Sequence, residues 1–314
     1  MTDEQKDRIR GVFYGQAIGD ALGLGTEFMD KQRIAVCYPE GLRDYEQIVQ
    51  DAHRSRWRKG DWTDDTDQFM CVCDSILTAK KADELAFAER LFDWFEDSPM
   101  GIGHTVYKVL TMPQFRQFPH KAADVVWKMS GRKSAANGAI MRSSILGVFE
   151  FWDTAKVIDN TERIARVTHW DLRCVGSSVI LTKLISSLIH HSSIPNSDAI
   201  TELGERYDSR IKPFVELALS EDIEALQLDD PKTMGYTLKT MAAGLWAYFN
   251  ASDFESGILK VIHEGGDADT NACVAGSLLG AKFGFQGIPE RLVRGLLRRS
   301  ELEEKIEGML GLMG

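Results

Sequence analysis

The chain has 314 residues, 44% hydrophobic and 27% charged, an ordinary globular balance with enough apolar content for a full core. Its 37 basic against 47 acidic residues leave a formal charge of -10. That charge disfavours nonspecific binding to nucleic acid or to an anionic membrane, because no basic excess offsets phosphate repulsion, and it still allows one small phosphate pocket.

The N-terminus, MTDEQKDRIR, is polar and has no apolar signal-peptide stretch. The first predicted helix is rich in small residues: Gly11, Gly15, Gly19 and Gly23 recur every four positions, with Ala17 and Ala21 between them. Glycine costs roughly 1 kcal/mol per helix position against alanine, so four on one stripe imply that another helix or a ligand comes very close. Asp20 lies in the same helix among apolar neighbours and needs a partner if buried.

The next stretch, GDWTDDTDQF at 60–69, crowds Asp64, Asp65 and Asp67 ahead of an apolar run. Asp65 followed by Gln68 has the spacing of a capping box. Residues 69–77 then place Phe69, Val72, Cys73, Ile76 and Leu77 on one helical face. Pro99, Pro113 and Pro119 mark residues 97–120 as a loop-rich segment.

Residues 174–189 carry a broad apolar stripe from Val175 to Ile189, with Lys183 in its middle arguing against a membrane span. Residues 236–249 and 272–283 read as further helices rich in small and apolar residues. Clean alternation of β-branched residues is missing, and so are a linker and a solenoid-period repeat. The reading is one all-α domain over residues 1–314. Cys37, Cys71, Cys73, Cys174 and Cys273 include no CxxC pair and are odd in number, which fits reduced thiols in a cytoplasmic protein.

GGDADTNA, at 265–272, repeats the form of the 60–69 stretch: Asp267 and Asp269, then Thr270, after a glycine pair and before a small-residue helix. Either stretch alone is an ordinary acidic helix start. Together they have the donors of a hard-cation site, since Mg²⁺ and Mn²⁺ prefer carboxylate, hydroxyl and water oxygens. Asp64, Asp65, Asp267 and Asp269 would balance two divalent cations. Spacing does not show that the two loops meet. Neither a P-loop nor a strand–GxGxxG–helix motif occurs.

Five ordered stretches resemble the ADP-ribosylglycohydrolase family: GQAIGDALGLGTEF at 15–28, GDWTDDTD at 60–67, GIGHT at 101–105, SAANGAIMR at 134–142 with VTHWD at 167–171, and GGDADTNA at 265–272. The resemblance implies an all-helical fold that holds two divalent cations, Mg²⁺ or Mn²⁺. It implies cleavage of the bond between the distal ribose of ADP-ribose and an acceptor. Thr63, Asp64 and Asp65 would then bind one metal, Asp267 and Thr270 the other, and Asp269 would bridge them. Glu27, seven residues after Asp20, matches an active-site glutamate that covers the site and positions or deprotonates water. Asp64 and Asp65 join it as catalytic candidates, and Asp20 would fix the metal ligands from behind.

Gly101, Gly103, Ser134, Asn137 and Gly138 match positions that approach ADP-ribose, and His169 would line the ribose region. Some members carry a tyrosine after the serine of the SAANGAIMR-like motif; here that place is Ala135, so no adenine-stacking residue is assigned. Asp67 reads as a first-turn acid, and His263, a nitrogen donor, does not suit an all-oxygen site. The expected partner is an ADP-ribosylated protein or a small ADP-ribose compound, not a membrane or nucleic acid. Arginine-linked ADP-ribose is the leading substrate, with exposed Asp67 and Asp97 as local acid for the cationic acceptor. Serine-linked ADP-ribose or O-acetyl-ADP-ribose is the alternative, and a non-catalytic ADP-ribose binder the alternative from another class.

Overall fold

The glycine stripe of the first helix is met by another helix. Asp3–Gly23 opens with a capping box from Thr2 to Gln5. Its Gly11, Gly15, Gly19 and Gly23 lie against Gly280, Gly276, Ala272 and Ala268 of the Ala268–Phe283 helix. A Cβ on any of the four would come within 3.0 Å of that helix's backbone. The contacts run in opposite chain directions, so the two helices are antiparallel. The end of the first therefore meets the start of the second. Glu27 follows the one and Asp267 precedes the other.

The computed structural model describes residues 1–190 and 195–314. Among the described residues there are sixteen α-helices, five short 3₁₀ turns and no strand; one isolated bridge joins Ala136 to Tyr236. Thr237–Asn250, Phe254–His263 and Leu172–His190 pack around Ala268–Phe283, while Asp64–Ala79 packs on Glu84–Glu96. The buried apolar side chains form one continuous core.

The predicted helices are present and extend past the periodic stripes that revealed them. Residues 69–77 sit in Asp64–Ala79, and 272–283 in Ala268–Phe283. Their polar first turns carry no apolar period, so periodicity locates only the part that faces the core. Residues 97–120 are less irregular than expected. They contain the short helix His104–Leu110, and Pro119 opens Pro119–Met129, where its missing N–H costs no helical bond.

Lys183 is weaker evidence against a membrane span than the sequence suggests. The Leu172–His190 helix is long and apolar enough to cross a membrane, but 89% of its most apolar window is buried inside the protein. Its apolar surface is taken up by core packing. All five cysteines are free thiols.

Candidate active site

The first acidic helix start is held from behind. Thr63, not Asp65, is the N-cap of Asp64–Ala79, and its hydroxyl accepts from the Asp65 N–H. Fully buried Asp20 accepts from the Thr63 N–H at 3.0 Å, the Thr66 N–H at 2.9 Å and the Thr66 hydroxyl at 2.6 Å. The expected Asp65–Gln68 capping box is therefore corrected. The helix starts one residue before Asp65, so Asp65 lies inside its first turn, and the Gln68 side chain donates to Asp64 Oδ2 at 3.0 Å.

The second start is held by other loops. Gly265 and Gly266 have φ of 70° and 67°, and a Cβ on either would collide with the backbone of Met29 or Leu228. That close approach lets the Phe28 N–H donate to Gly266 O at 2.6 Å, and the Gly266 N–H to Met29 O at 2.9 Å. Glu27 and Asp267 thus each adjoin the same pair of backbone bonds. Asn137 Nδ2 donates to Asp267 Oδ2 at 2.6 Å, and the Thr270 N–H to Asp269 Oδ1 at 2.9 Å.

Glu27 is buried, 7% exposed. His53 Nε2 lies 2.6 Å from Glu27 Oε2. Buried Arg54 donates to Gly25 O at 2.9 Å and to Glu27 O, and pairs with Asp51 at 2.6 Å. His53 and Arg54 escape sequence reading because they belong to an irregular segment with no period or motif. Only the fold brings them to the Glu27 turn.

Glu27, Thr63, Asp64, Asp65, Gly101, Gly103, Asn137, Gly138, His169, Asp267, Asp269 and Thr270 line one cavity of about 520 Å³. Carboxylate oxygens of Glu27, Asp267 and Asp269 lie within 4.8 Å of one another. Burial first, then the neighbouring carboxylates, pushes Asp64 up to about 7 and holds Asp65 and Asp269 well above the usual range. Asp267 is raised to about 6 by burial, against the Asn137 hydrogen bond.

Among the described residues, no lysine or arginine forms an ion pair with Asp64, Asp65, Asp267 or Asp269. Asp65 Oδ1 is buried without a hydrogen-bond partner. Crowded, unpaired carboxylates with an orphaned oxygen fit a hard cation, which would supply the missing positive charge.

Other expected residues lie elsewhere. Ser134 does not line the cavity; its hydroxyl lies 3.3 Å from that of Thr105, which does. Asp67 is a first-turn acid, as expected, but it is paired and does not line the cavity. It accepts from Trp62 Nε1 at 2.9 Å and Trp94 Nε1 at 3.3 Å, and pairs with Arg298 at 2.6 Å. Asp97 is exposed and Ala135 buried, and neither lines the cavity; Ala136 does. A Cβ on Gly101 would lie 3.0 Å from Asp64 Oδ1, whereas one on Gly103 would meet nothing within 4 Å, so close approach explains only the first. His263 bonds the Leu42 backbone, away from the acids.

Residues 1–313 match the ADP-ribosylglycohydrolase family. The chain is 25% identical to the ADP-ribosylarginine hydrolase Tri1 of Serratia proteamaculans, over 97% of this chain and 79% of the relative. It is 26% identical to the ADP-ribosyl-[dinitrogen reductase] glycohydrolase of Rhodospirillum rubrum, over 98% and 97%. A solved structure described as an ADP-ribosylglycohydrolase-related protein complex superposes with a TM-score of 0.75 at 26% identity, covering all of both chains. With an all-helical fold and the two acidic helix starts in one cavity, the chain belongs to the ADP-ribosylglycohydrolase family of enzymes.

Proposed function

We propose that the protein is a divalent-cation-dependent hydrolase that releases ADP-ribose from ADP-ribosylated arginine on protein. The observation that carries this reading is the convergence of Glu27, Asp267 and Asp269 oxygens within 4.8 Å, in a cavity that Asp64 and Asp65 also line. Thr63, Asp64 and Asp65 from one side and Asp267, Asp269 and Thr270 from the other would hold Mg²⁺ or Mn²⁺. Bound there, the cations would supply Lewis acidity toward the ribose diol and the reacting water.

The chain's own groups do the rest. Glu27 orients the water and takes its proton as the bond at the anomeric carbon breaks through an oxocarbenium-like state. The His53 contact at Oε2 leaves Oε1 for that water. Asp20 keeps Thr63 and the first helical turn in place. Asn137, Gly138 and His169 form the wall for ADP-ribose. A cytoplasmic location goes with this reading, supported by five unpaired thiols.

The acceptor rests on different support. Asp67 and Asp97 do not face the cavity, so acid at the mouth no longer argues for arginine. What does is the ADP-ribosylarginine hydrolase relative. The test is ADP-ribose release from arginine-linked, serine-linked and O-acetyl-ADP-ribose, with and without Mg²⁺. Release should need the cation. The arginine conjugate should react with a kcat/KM at least about tenfold above the serine one, about 1.4 kcal/mol in barrier. Equal rates or a serine preference would overturn the acceptor, and cation-independent release would overturn the metal site.

A further inference from the structure

Arg142 is fully buried, and among the described residues no carboxylate pairs with it. Its guanidinium lies over the Phe87 ring at 5.0 Å. Nη1 donates to Gln68 Oε1 at 2.7 Å and Nη2 donates to Thr168 Oγ1. Thr168 Oγ1 in turn lies 2.8 Å from Nδ1 of His169. The other ring nitrogen, Nε2, is buried with no hydrogen-bond partner, in a side chain that is 3% exposed and lines the cavity.

Counting protons along this row fixes its direction. Arginine only donates, so Thr168 Oγ1 must accept from it and has one hydrogen left to give. Burial and the Arg142 charge push His169 down to about 3, so near neutral pH one ring nitrogen carries the proton and the other does not. If Nδ1 carried it, Thr168 would accept twice and its own buried hydrogen would have no acceptor among the described residues. If Nε2 carries it, Thr168 donates to Nδ1, and both the Thr168 hydroxyl and Nδ1 are satisfied. The N–H then belongs to a side chain that lines the cavity. A Cβ on Gly138 would lie 3.1 Å from Nε2 and 2.8 Å from Cε1, so the glycine leaves that edge of the ring open.

We propose that Arg142 and Thr168 are positioning residues that lock His169 as an Nε2–H donor toward an oxygen of the bound ADP-ribose. The ligand half of this inference rests on the ADP-ribose reading above; the direction of the row does not. His169 is then a donor only, in a cavity that also presents the carboxylates of Glu27, Asp64, Asp65, Asp267 and Asp269, and it takes no proton during the reaction. The same guanidinium also sets the amide of Gln68, whose nitrogen is left to donate to Asp64.

The test uses the full chain with ¹⁵N-labelled histidine. Long-range ¹H–¹⁵N spectra at pH 7 read the tautomer, with the His169 signals assigned by their loss in His169→Gln, and calorimetry reads ADP-ribose binding. Wild type should show only the Nε2–H form, with signals that move on ADP-ribose addition. Thr168→Val should lose the single tautomer and weaken ADP-ribose binding by about tenfold, the worth of one hydrogen bond to a charged ligand, and Thr168→Ser should restore both. An Nδ1–H or doubly protonated His169 in wild type would overturn the proposal. So would unchanged binding in Thr168→Val. The wild-type tautomer needs no variant, so the row is decided even if Thr168→Val does not fold. An Nε2–H form together with no ADP-ribose binding by wild type would sink the ligand half and the functional reading while leaving the row standing.

Discussion

The two acidic helix starts look alike in sequence, DDTD at 64–67 and DADT at 267–270, and are built differently. The first is a finished helix terminus. Thr63 caps it, Asp20 accepts three hydrogen bonds beneath it, and Gln68 steadies Asp64. The second is open. Asp267 sits at its N-cap and makes no side-chain cap bond, and its support comes from Asn137 and from backbone pairing with the Glu27 turn. One start is a platform made by the protein. The other collects carboxylates that the protein alone does not neutralise, and there the need for a cation is greatest.

The largest effect should come from removing charge at the open start. Asp269 is crowded by Glu27, Asp65 and Asp267 on top of its burial. Asp269→Asn should lower ADP-ribose release at least about 1000-fold, about 4 kcal/mol in barrier, because a neutral amide replaces an anion among the oxygens proposed to hold the cation. Asp67→Asn is the contrasting change within the finished start. Asp67 faces Trp62, Trp94 and Arg298, so turnover should stay within about twofold while stability falls by about 1 kcal/mol. Similar losses of activity in both would break the distinction between the two starts.

Much of this arrangement is legible in the sequence, and the rest is not for physical reasons. The four-residue glycine spacing announces a close neighbour, and the apolar stripes locate the helices that supply it. What periodicity cannot show is which neighbour arrives. The Asp65–Gln68 spacing fits a capping box, yet the helix already starts at Asp64 with Thr63 as its N-cap, and Asp20, 46 residues before Thr66, accepts from the N–H of Thr66 in its first turn. His53 and Arg54 carry no local signal, because their role exists only once the Glu27 turn lies against them. Ser134 has the residue type a phosphate site uses, but its loop turns the hydroxyl toward Thr105. Arg142 is visible in a motif, while its lack of a carboxylate partner is visible only in the packed core.

A smaller effect should follow from loosening the platform. Asp20→Asn keeps the size of the side chain but puts an NH₂ where one of the two acceptor oxygens was, opposite the N–H groups of Thr63 and Thr66. Groups that orient metal ligands typically change affinity by about 10–100-fold, and a loss of that size in Mg²⁺ affinity by calorimetry is the expected result. Asn137→Ala, which frees only Asp267, should cost less than Asp20→Asn. The reverse order would mean that the open start, not the platform, sets the affinity.

The smallest effect is on stability against pH, and its sign follows from burial. Asp20 and Asp267 are each raised to about 6 and Asp64 to about 7, burial being the main cause in every case. A carboxyl whose folded pKa lies above its unfolded value favours the folded state fully below about pH 4, and that contribution is lost as pH rises through 6 and 7. In EDTA, Tm should therefore be lower at pH 8 than at pH 5 by at least about 3 °C, the shift that roughly 1 kcal/mol produces in a chain somewhat smaller than this one. Saturating Mg²⁺ should raise Tm more at pH 8 than at pH 5, because protons and the cation compete for the same oxygens. Asp64→Asn should flatten the EDTA slope, since it removes the carboxyl with the highest of the three values. A slope that is flat in wild type, or unchanged in Asp64→Asn, would show that the crowded carboxylates do not carry the strain that their burial and mutual proximity imply.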